Sequence, residues 1–141
     1  MMKYFWKKRG QRGFTLIELV VVLAILGILI ALAVPRYLGA RRNAFVAEGD
    51  NLLQELKTMS WAYYQQYSTF VGLTLATAGF QPPDDATASC WDVAEPTALA
   101  TTVTLVATGD NTPTKCAPIN GTTITVTLDG GGGSTRALVF P

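Results

Sequence analysis

Histidine is absent from this chain of 141 residues, and cysteine occurs only twice. Without histidine, Ser-His and Cys-His catalysis and metal binding by imidazole are excluded. Cys90 and Cys116 have 25 residues between them, too many for a C-x-x-C redox motif. If the domain that carries them is exported, a disulfide between them is the default. The sequence predicts no catalytic residue, no cofactor and no metal site.

Basic residues are scarce beyond the N-terminus. Five of the eleven lysines and arginines precede Gly13, and without that segment six basic residues face ten acidic ones. From Ala44 onward, three basic residues oppose nine acids, a net charge of −6. Binding to nucleic acid depends on neutralising phosphates, so direct binding of nucleic acid by this acidic domain is not expected.

A long apolar run follows the basic N-terminus. The sixteen residues 19–34 have no charged or hydrogen-bonding side chain, and residues 14–34 contain only Thr15 and Glu18 as exceptions. A helix of that length is about 31 Å long, close to the ~30 Å hydrocarbon core of a bilayer. The excess of basic residues before the run favours a cytoplasmic N-terminus and an exported C-terminal domain.

An ordinary secretory signal has a small-residue cleavage site after its apolar stretch. Here the run passes into VPRYLGARRNAF, which offers only a weak site at residues 39–40. The better-placed small residue is Gly13, before the apolar run. Cleavage at Gly13 would leave the membrane helix attached to the mature protein.

The stretch KKRGQRGFTLIELVVVLAILGILIALAVP resembles the class III signal sequence of type IV prepilins and related pseudopilins. The family pattern is a basic leader, a glycine, an aromatic residue and a glutamate four residues further on, matched by Gly13, Phe14 and Glu18. The resemblance implies that a membrane prepilin peptidase cuts between Gly13 and Phe14 and methylates the new amino group of Phe14. The family's helix-interrupting glycine and proline have counterparts in Gly27 and Pro35.

Glu18 is the one charge inside the apolar run, and its insertion at mid-membrane depth would cost about 2.5–3.5 kcal/mol. In the family, this glutamate is thought to pair with the amino group of the first mature residue of a neighbouring subunit. Two charges 4 Å apart attract by about 4 kcal/mol at an effective dielectric constant of 20, enough to offset that cost. The resemblance thus assigns Glu18 and Phe14 to assembly.

Pro35 lacks the N–H that would bond to the carbonyl of Ala31. Gly27 makes the helix less stable by about 1 kcal/mol than alanine would at the same position. We therefore predict one helix over residues 14–67, kinked near Pro35. In the family, the segment between the glycine and the proline loses helix when subunits pack into a filament.

Beyond the span, the predicted helix is amphipathic, with one apolar face spaced 7, 4, 3 and 4 residues apart: Phe45, Leu52, Leu56, Met59 and Tyr63. The nearby aromatics Trp61, Tyr63, Tyr64 and Tyr67 are interpreted as core packing. Alternating β-branched residues predict strands over 101–108, 122–128 and 136–140, with DGGGGS (129–134) as a hairpin loop. Residues 73–96 are predicted to be a loop that the disulfide joins to the sheet.

These elements predict an α+β protein with a small antiparallel sheet, which the resemblance identifies as the type IV pilin fold. The predicted organisation is a leader over residues 1–13, a transmembrane and filament-core helix over 14–35, and an amphipathic helix half plus globular head over 36–141. Scattered loop acids, including Asp92, Asp110 and Asp129, lack the spacing of a calcium loop and are interpreted as solvated. Residues 120–122 (NGT) weakly match a glycosylation sequon.

The resemblance implies a structural subunit that polymerises into a helical filament, with a peptidase and an inner-membrane assembly machinery as partners. Before assembly it would be a single-pass protein of the cytoplasmic membrane, and afterwards part of an extracellular pilus. Two alternatives stay open, a pseudopilin of a type II secretion or competence system and a minor pilin that binds DNA. An enzyme on a single membrane anchor is the remote alternative.

Overall fold

The computed structural model describes residues 13–83, 89–110 and 114–141. Residues 1–12 of the predicted leader lie outside the described residues, as do Asp84 and Asp85. The chain divides into two compact units, of which the first ends at Leu38 and the second covers Gly39–Pro141.

The long helix α1 covers Leu16–Tyr67. It begins two residues after the predicted start and ends at the predicted residue. The helix continues through Pro35, so the kink predicted there stays a prediction. Over its N-terminal part α1 is long and apolar enough to cross a membrane.

In the second unit, α1 buries a narrow stripe spaced 4, 3 and 4 residues apart: Gly49, Leu53, Leu56 and Ser60. Of the predicted face only Leu56 is fully buried, while the other four side chains are partly buried beside the stripe. The prediction shifted the stripe because it counted only large apolar residues. Small residues lie at its two ends, and a Cβ on Gly49 would come 2.5 Å from Cε2 of Trp91.

Five strands form one antiparallel sheet: β1 (Trp91–Val93), β2 (Thr97–Ala98), β3 (Thr102–Gly109), β4 (Thr123–Asp129) and β5 (Ser134–Val139). The order is β1-β3-β4-β5, and β2 also pairs with β3. Residues alternate between buried and partly exposed along β3 and β4. Their inner face supplies six buried core residues: Val103, Leu105, Ala107, Ile124, Val126 and Leu128. The α+β class with a small antiparallel sheet is confirmed.

The three predicted strands correspond to β3, β4 and β5, each displaced by one or two residues at its ends. The prediction that residues 73–96 form only a loop is wrong, because they contain the short helix α2 (Leu75–Ala78) and the strand β1. Thr74 and Thr77 close a reciprocal capping box around α2. Elements this short have too few residues to show a hydrophobic period.

The glycine-rich segment makes the predicted hairpin between β4 and β5. The amide of Asp129 donates to the carbonyl of Gly133 (2.9 Å), and the amide of Gly132 donates to the carbonyl of Asp129 (2.9 Å). Gly132 has a φ of 90°, which a residue with a Cβ rarely adopts. The turn therefore depends on glycine at that position.

The aromatics near the end of α1 largely follow their core interpretation. Trp61, Tyr63 and Tyr64 are partly buried against the core, whereas Tyr67 is 55% exposed. The Trp61 and Tyr64 rings stack at 5.5 Å, and the Tyr64 and Phe70 rings lie 4.6 Å apart. Core packing is thus confirmed for three of the four side chains and is wrong for Tyr67.

Candidate assembly site

The first turn of α1 is closed by a reciprocal pair of contacts between Thr15 and Glu18. The backbone amide of Glu18 donates to Oγ1 of Thr15 (3.3 Å), and the amide of Thr15 donates to Oε2 of Glu18 (2.9 Å). The hydroxyl of Thr15 also donates to Oε2 (2.8 Å). This is a capping box, which satisfies backbone donors that the start of a helix leaves free.

Among the described residues, Thr15 is the hydrogen-bond partner of the Glu18 carboxylate. Both Thr15 contacts use Oε2, and no donor within the described residues reaches Oε1. The carboxylate borders a shallow groove whose other lining residues are apolar: Phe14, Ile17, Val21 and Val22. A cation that entered this groove would meet an oriented carboxylate oxygen in apolar surroundings, where electrostatic attraction is stronger than in water.

The first unit offers no core of its own around this site. Every large apolar side chain from Phe14 to Leu38 is exposed, on all sides of the helix. Soluble monomers rarely expose continuous apolar patches beyond a few hundred Å². A bilayer or other helices would cover these apolar side chains.

Of the other predicted residues of this segment, Gly27 and Pro35 lie within α1 and Phe14 lies just before it, and no contact within the described residues tests their roles. Phe14 is 83% exposed. A Cβ on Gly13 or on Gly27 would have no heavy atom within 4 Å. Pro35 lies within α1. The roles in processing and helix weakening stay predictions.

The two cysteines lie in the second unit and are joined as a disulfide, with their Cα atoms 5.4 Å apart. Cys90 directly precedes β1, and Cys116 belongs to the 3₁₀ helix Thr114–Ile119 before β4. Both are buried. The disulfide connects the start of β1 with the segment that links β3 to β4.

The predictions from sequence omitted Thr15. The signal was present, because threonine three residues before a glutamate, directly ahead of an apolar run, is the pattern of a capping box.

As for calcium, the described part of the chain contains no group of three or more histidine, cysteine or acidic side chains that could hold a metal ion.

The structure is that of an α+β protein with one long helix, whose N-terminal half is apolar and exposed, and a second unit with an antiparallel sheet. The family model for the prokaryotic N-terminal methylation motif matches residues 8–34. The chain is 32% identical over 105 residues to the type IV major pilin protein PilE1 of Neisseria gonorrhoeae, across 74% of this chain and 64% of the relative.

Two further relatives match over shorter stretches of the chain. The identity is 52% over 49 residues to a fimbrial protein of Moraxella nonliquefaciens, covering 35% of this chain and 32% of the relative. It is 51% over 50 residues to the type IV major fimbrial protein FimA of Dichelobacter nodosus, covering 36% and 31%. The chain spans less than two thirds of the length of these relatives. No solved structure shows a significant match. The resemblance to type IV pilins is confirmed.

Proposed function

We propose that this chain is the structural subunit of a type IV pilus and polymerises through the helix over residues 14–35. The observation that carries the proposal is the apolar surface of the first unit, which is exposed on all sides. The second unit has a closed core of its own. A subunit built this way can leave the membrane with its head already folded and bury the helix among other copies.

The proposed first step is cleavage between Gly13 and Phe14 by a prepilin peptidase, followed by N-methylation of Phe14. Cleavage converts the backbone amide of Phe14 into a cationic amino group. Glu18 of a neighbouring copy is the proposed partner of this amine. The capping box supports this pairing because Thr15 occupies one carboxylate oxygen and leaves the other available.

Energetics favour pairing after cleavage only. The attraction of about 4 kcal/mol at 4 Å offsets an insertion cost of about 2.5–3.5 kcal/mol. Before cleavage, the partner's cation does not exist. Processing would therefore license assembly as well as remove the leader over residues 1–13.

The proposed path begins with a single span of the cytoplasmic membrane, the N-terminus inside and the head outside. An inner-membrane machinery then transfers the helix into a filament at the cell surface. Apolar helices moving from lipid to a filament core exchange one apolar environment for another, so specific contacts and this machinery must drive the step.

The names of the relatives, pilins and fimbrial proteins, favour a pilus over the pseudopilus. The acidic balance from Ala44 onward disfavours a minor pilin that binds DNA.

Mass spectrometry of filaments sheared from cells, beside the membrane fraction, tests the proposal. We expect the main sheared species to begin with methylated Phe14 and to weigh two hydrogens less than the reduced chain. A processed chain that stays in the envelope and is missing from the sheared material would contradict the pilus and favour a pseudopilus. A chain that begins at Met1 in both fractions would contradict the processing step.

A further inference from the structure

The second unit exposes five large apolar side chains, and they fall into two groups. Tyr67, Val71 and Leu99, with exposures of 55%, 58% and 63%, form what we call the helix-end patch. Val139 and Phe140, at 58% and 43%, form the C-terminal patch. The remaining large apolar side chains in the described part of this unit are buried or partly buried.

Ring and hydrogen-bond contacts join the segments that carry the helix-end patch. The ring of Tyr63 lies 4.5 Å from that of Tyr67, and its hydroxyl donates to the carbonyl of Val71 (3.2 Å). The loop after α1 also donates a backbone hydrogen bond to the carbonyl of Ala100 (3.2 Å), the neighbour of Leu99. These contacts hold the end of α1, the loop that follows it and the turn between β2 and β3 side by side, so the three side chains of the patch come from adjoining segments.

The C-terminal patch lies at the other end of the second unit. The guanidinium of Arg42 sits 3.6 Å from the ring centroid of Phe140. Arg42 is 25 residues before Tyr67 on the same helix, about 37 Å at 1.5 Å per residue. Val139 pairs with Thr123, at the start of β4. The two patches are therefore separate surfaces and cannot cover each other within one molecule.

Charge distinguishes the two patches. The C-terminal patch carries Arg42, whose Nε is buried with no acceptor among the described residues. The helix-end patch borders Asp129, which is exposed and opposite Thr102 in the sheet. The amide of Gly130 donates to the carbonyl of Thr101 (2.7 Å), so the backbone after Asp129 lies beside the turn between β2 and β3. Oδ1 of Asp129 accepts a hydrogen bond from the amide of Gly131 (2.9 Å). The C-terminal patch thus has a basic residue beside its apolar side chains, and the helix-end patch has an acidic one.

We propose that the helix-end patch of one copy of this chain binds the C-terminal patch of another. Two different surfaces on each copy make a heterologous contact, and such contacts repeat into an open filament when the rotation does not close. The opposite charges fix the pairing of unlike patches and disfavour like patches. This inference rests on the proposed function and adds the surfaces by which the heads meet.

Cysteine cross-linking in filaments from the full chain tests the contact. Leu99→Cys and Phe140→Cys are made singly and together, and sheared filaments are oxidised and run without reductant. We expect a ladder of dimers, trimers and higher species from the double variant, and no ladder from the wild type, whose disulfide is intrachain. Val139→Cys replaces Phe140→Cys as a second pair that spares the Arg42–Phe140 contact.

The single variants distinguish a contact between unlike patches from a contact between like patches. A heterologous contact leaves each single variant monomeric, whereas dimers from Leu99→Cys alone would mean that like patches meet and would overturn the proposal. Filaments in which neither pair cross-links would overturn it as well, without affecting the proposed function. Wild-type cells that shed no filaments would instead contradict the proposed function itself.

A charge exchange gives an independent readout. Arg42→Asp and Asp129→Arg should each lower the yield of sheared filaments at an unchanged level of processed chain in the membrane. The double variant should restore the yield. A double variant with the combined loss of the two single variants would contradict the pairing of these charges.

Discussion

The two parts of α1 differ in what surrounds them. From Leu16 to Leu38 every large apolar side chain is exposed. Beyond Gly39 the helix buries only the stripe of Gly49, Leu53, Leu56 and Ser60 against the sheet. The described chain packs against the second part of the helix and leaves the first part uncovered, and a membrane or other copies are the proposed cover. One part of α1 therefore belongs to the folded core of the second unit, and the other part is the proposed assembly surface.

The largest expected effect is on the stability of the second unit. Leu53→Ala removes a fully buried side chain and should lower the free energy of unfolding of the second unit by about 2–5 kcal/mol. Urea unfolding of the processed chain in detergent, followed by tryptophan fluorescence, measures it. The matched control, Leu23→Ala, changes a side chain that is 58% exposed and should leave the transition in place. Equal shifts for both variants would contradict the division of α1.

Removing the disulfide should have the next largest effect. In the chain-entropy model, the loop closed by Cys90 and Cys116 contributes about 3–4 kcal/mol to stability. Replacing both cysteines by serine should move the urea midpoint down by a corresponding amount. Because the disulfide lies wholly in the second unit, insertion of the helix into the membrane should be unchanged. An unaltered midpoint would show that the buried contacts around the cysteines suffice.

Two glycines of α1 sharpen the comparison. Gly49→Ala places a Cβ 2.5 Å from Cε2 of Trp91, and this overpacking should destabilise the second unit by about 1–3 kcal/mol. Gly39→Ala meets no heavy atom within 4 Å and should instead add up to about 1 kcal/mol of helix propensity. The same urea titration reports both variants. Opposite signs are expected, and destabilisation by Gly39→Ala would mean that its surface is already packed.

The smallest effect concerns the contact of β5 with α1. Arg136 donates through Nε and Nη2 to both carboxylate oxygens of Asp50, at 2.6 and 2.7 Å, but both side chains are substantially exposed. A double-mutant cycle with Arg136→Met and Asp50→Asn should give a coupling free energy of no more than about 1 kcal/mol that falls as salt is added. A larger coupling that ignores salt would mean that the pair is buried by another part of the molecule.

The sequence was informative where chemistry or period repeats over many residues. The span, the long helix and the strands β3 to β5 were all predictable, because their patterns extend over several residues of one type. The short strand β1 was missed because three residues show no alternation. The stripe on α1 was misplaced because Gly49 and Ser60 are buried although neither is a large apolar residue. Trp91 lies against Gly49, and the hydroxyl of Ser60 donates to the carbonyl of Leu56 (2.7 Å). The approach of Trp91 depends on tertiary contacts, which a local pattern does not record.

At the assembly site, the sequence identified Glu18 through its charge and its family resemblance. It did not reveal that Thr15 already binds the carboxylate, although the T-x-x-E pattern was there. The structure adds a second role for this glutamate, since Oε2 accepts from Thr15 at the helix start and no donor in the described part of the chain reaches Oε1. Capping and pairing are therefore separable by mutation.

The most direct test of the account is the ratio of sheared filament to processed membrane chain in Glu18→Ala, compared with Thr15→Ala and with Glu55→Ala, an exposed acid of the second unit. We expect Glu18→Ala to be cleaved after Gly13 but absent from filaments. Thr15→Ala keeps the carboxylate and loses only the cap, worth about 1 kcal/mol, so it should still assemble. Glu55→Ala should match the wild type. Normal filaments from Glu18→Ala would contradict the claim that this charge joins one copy to the next.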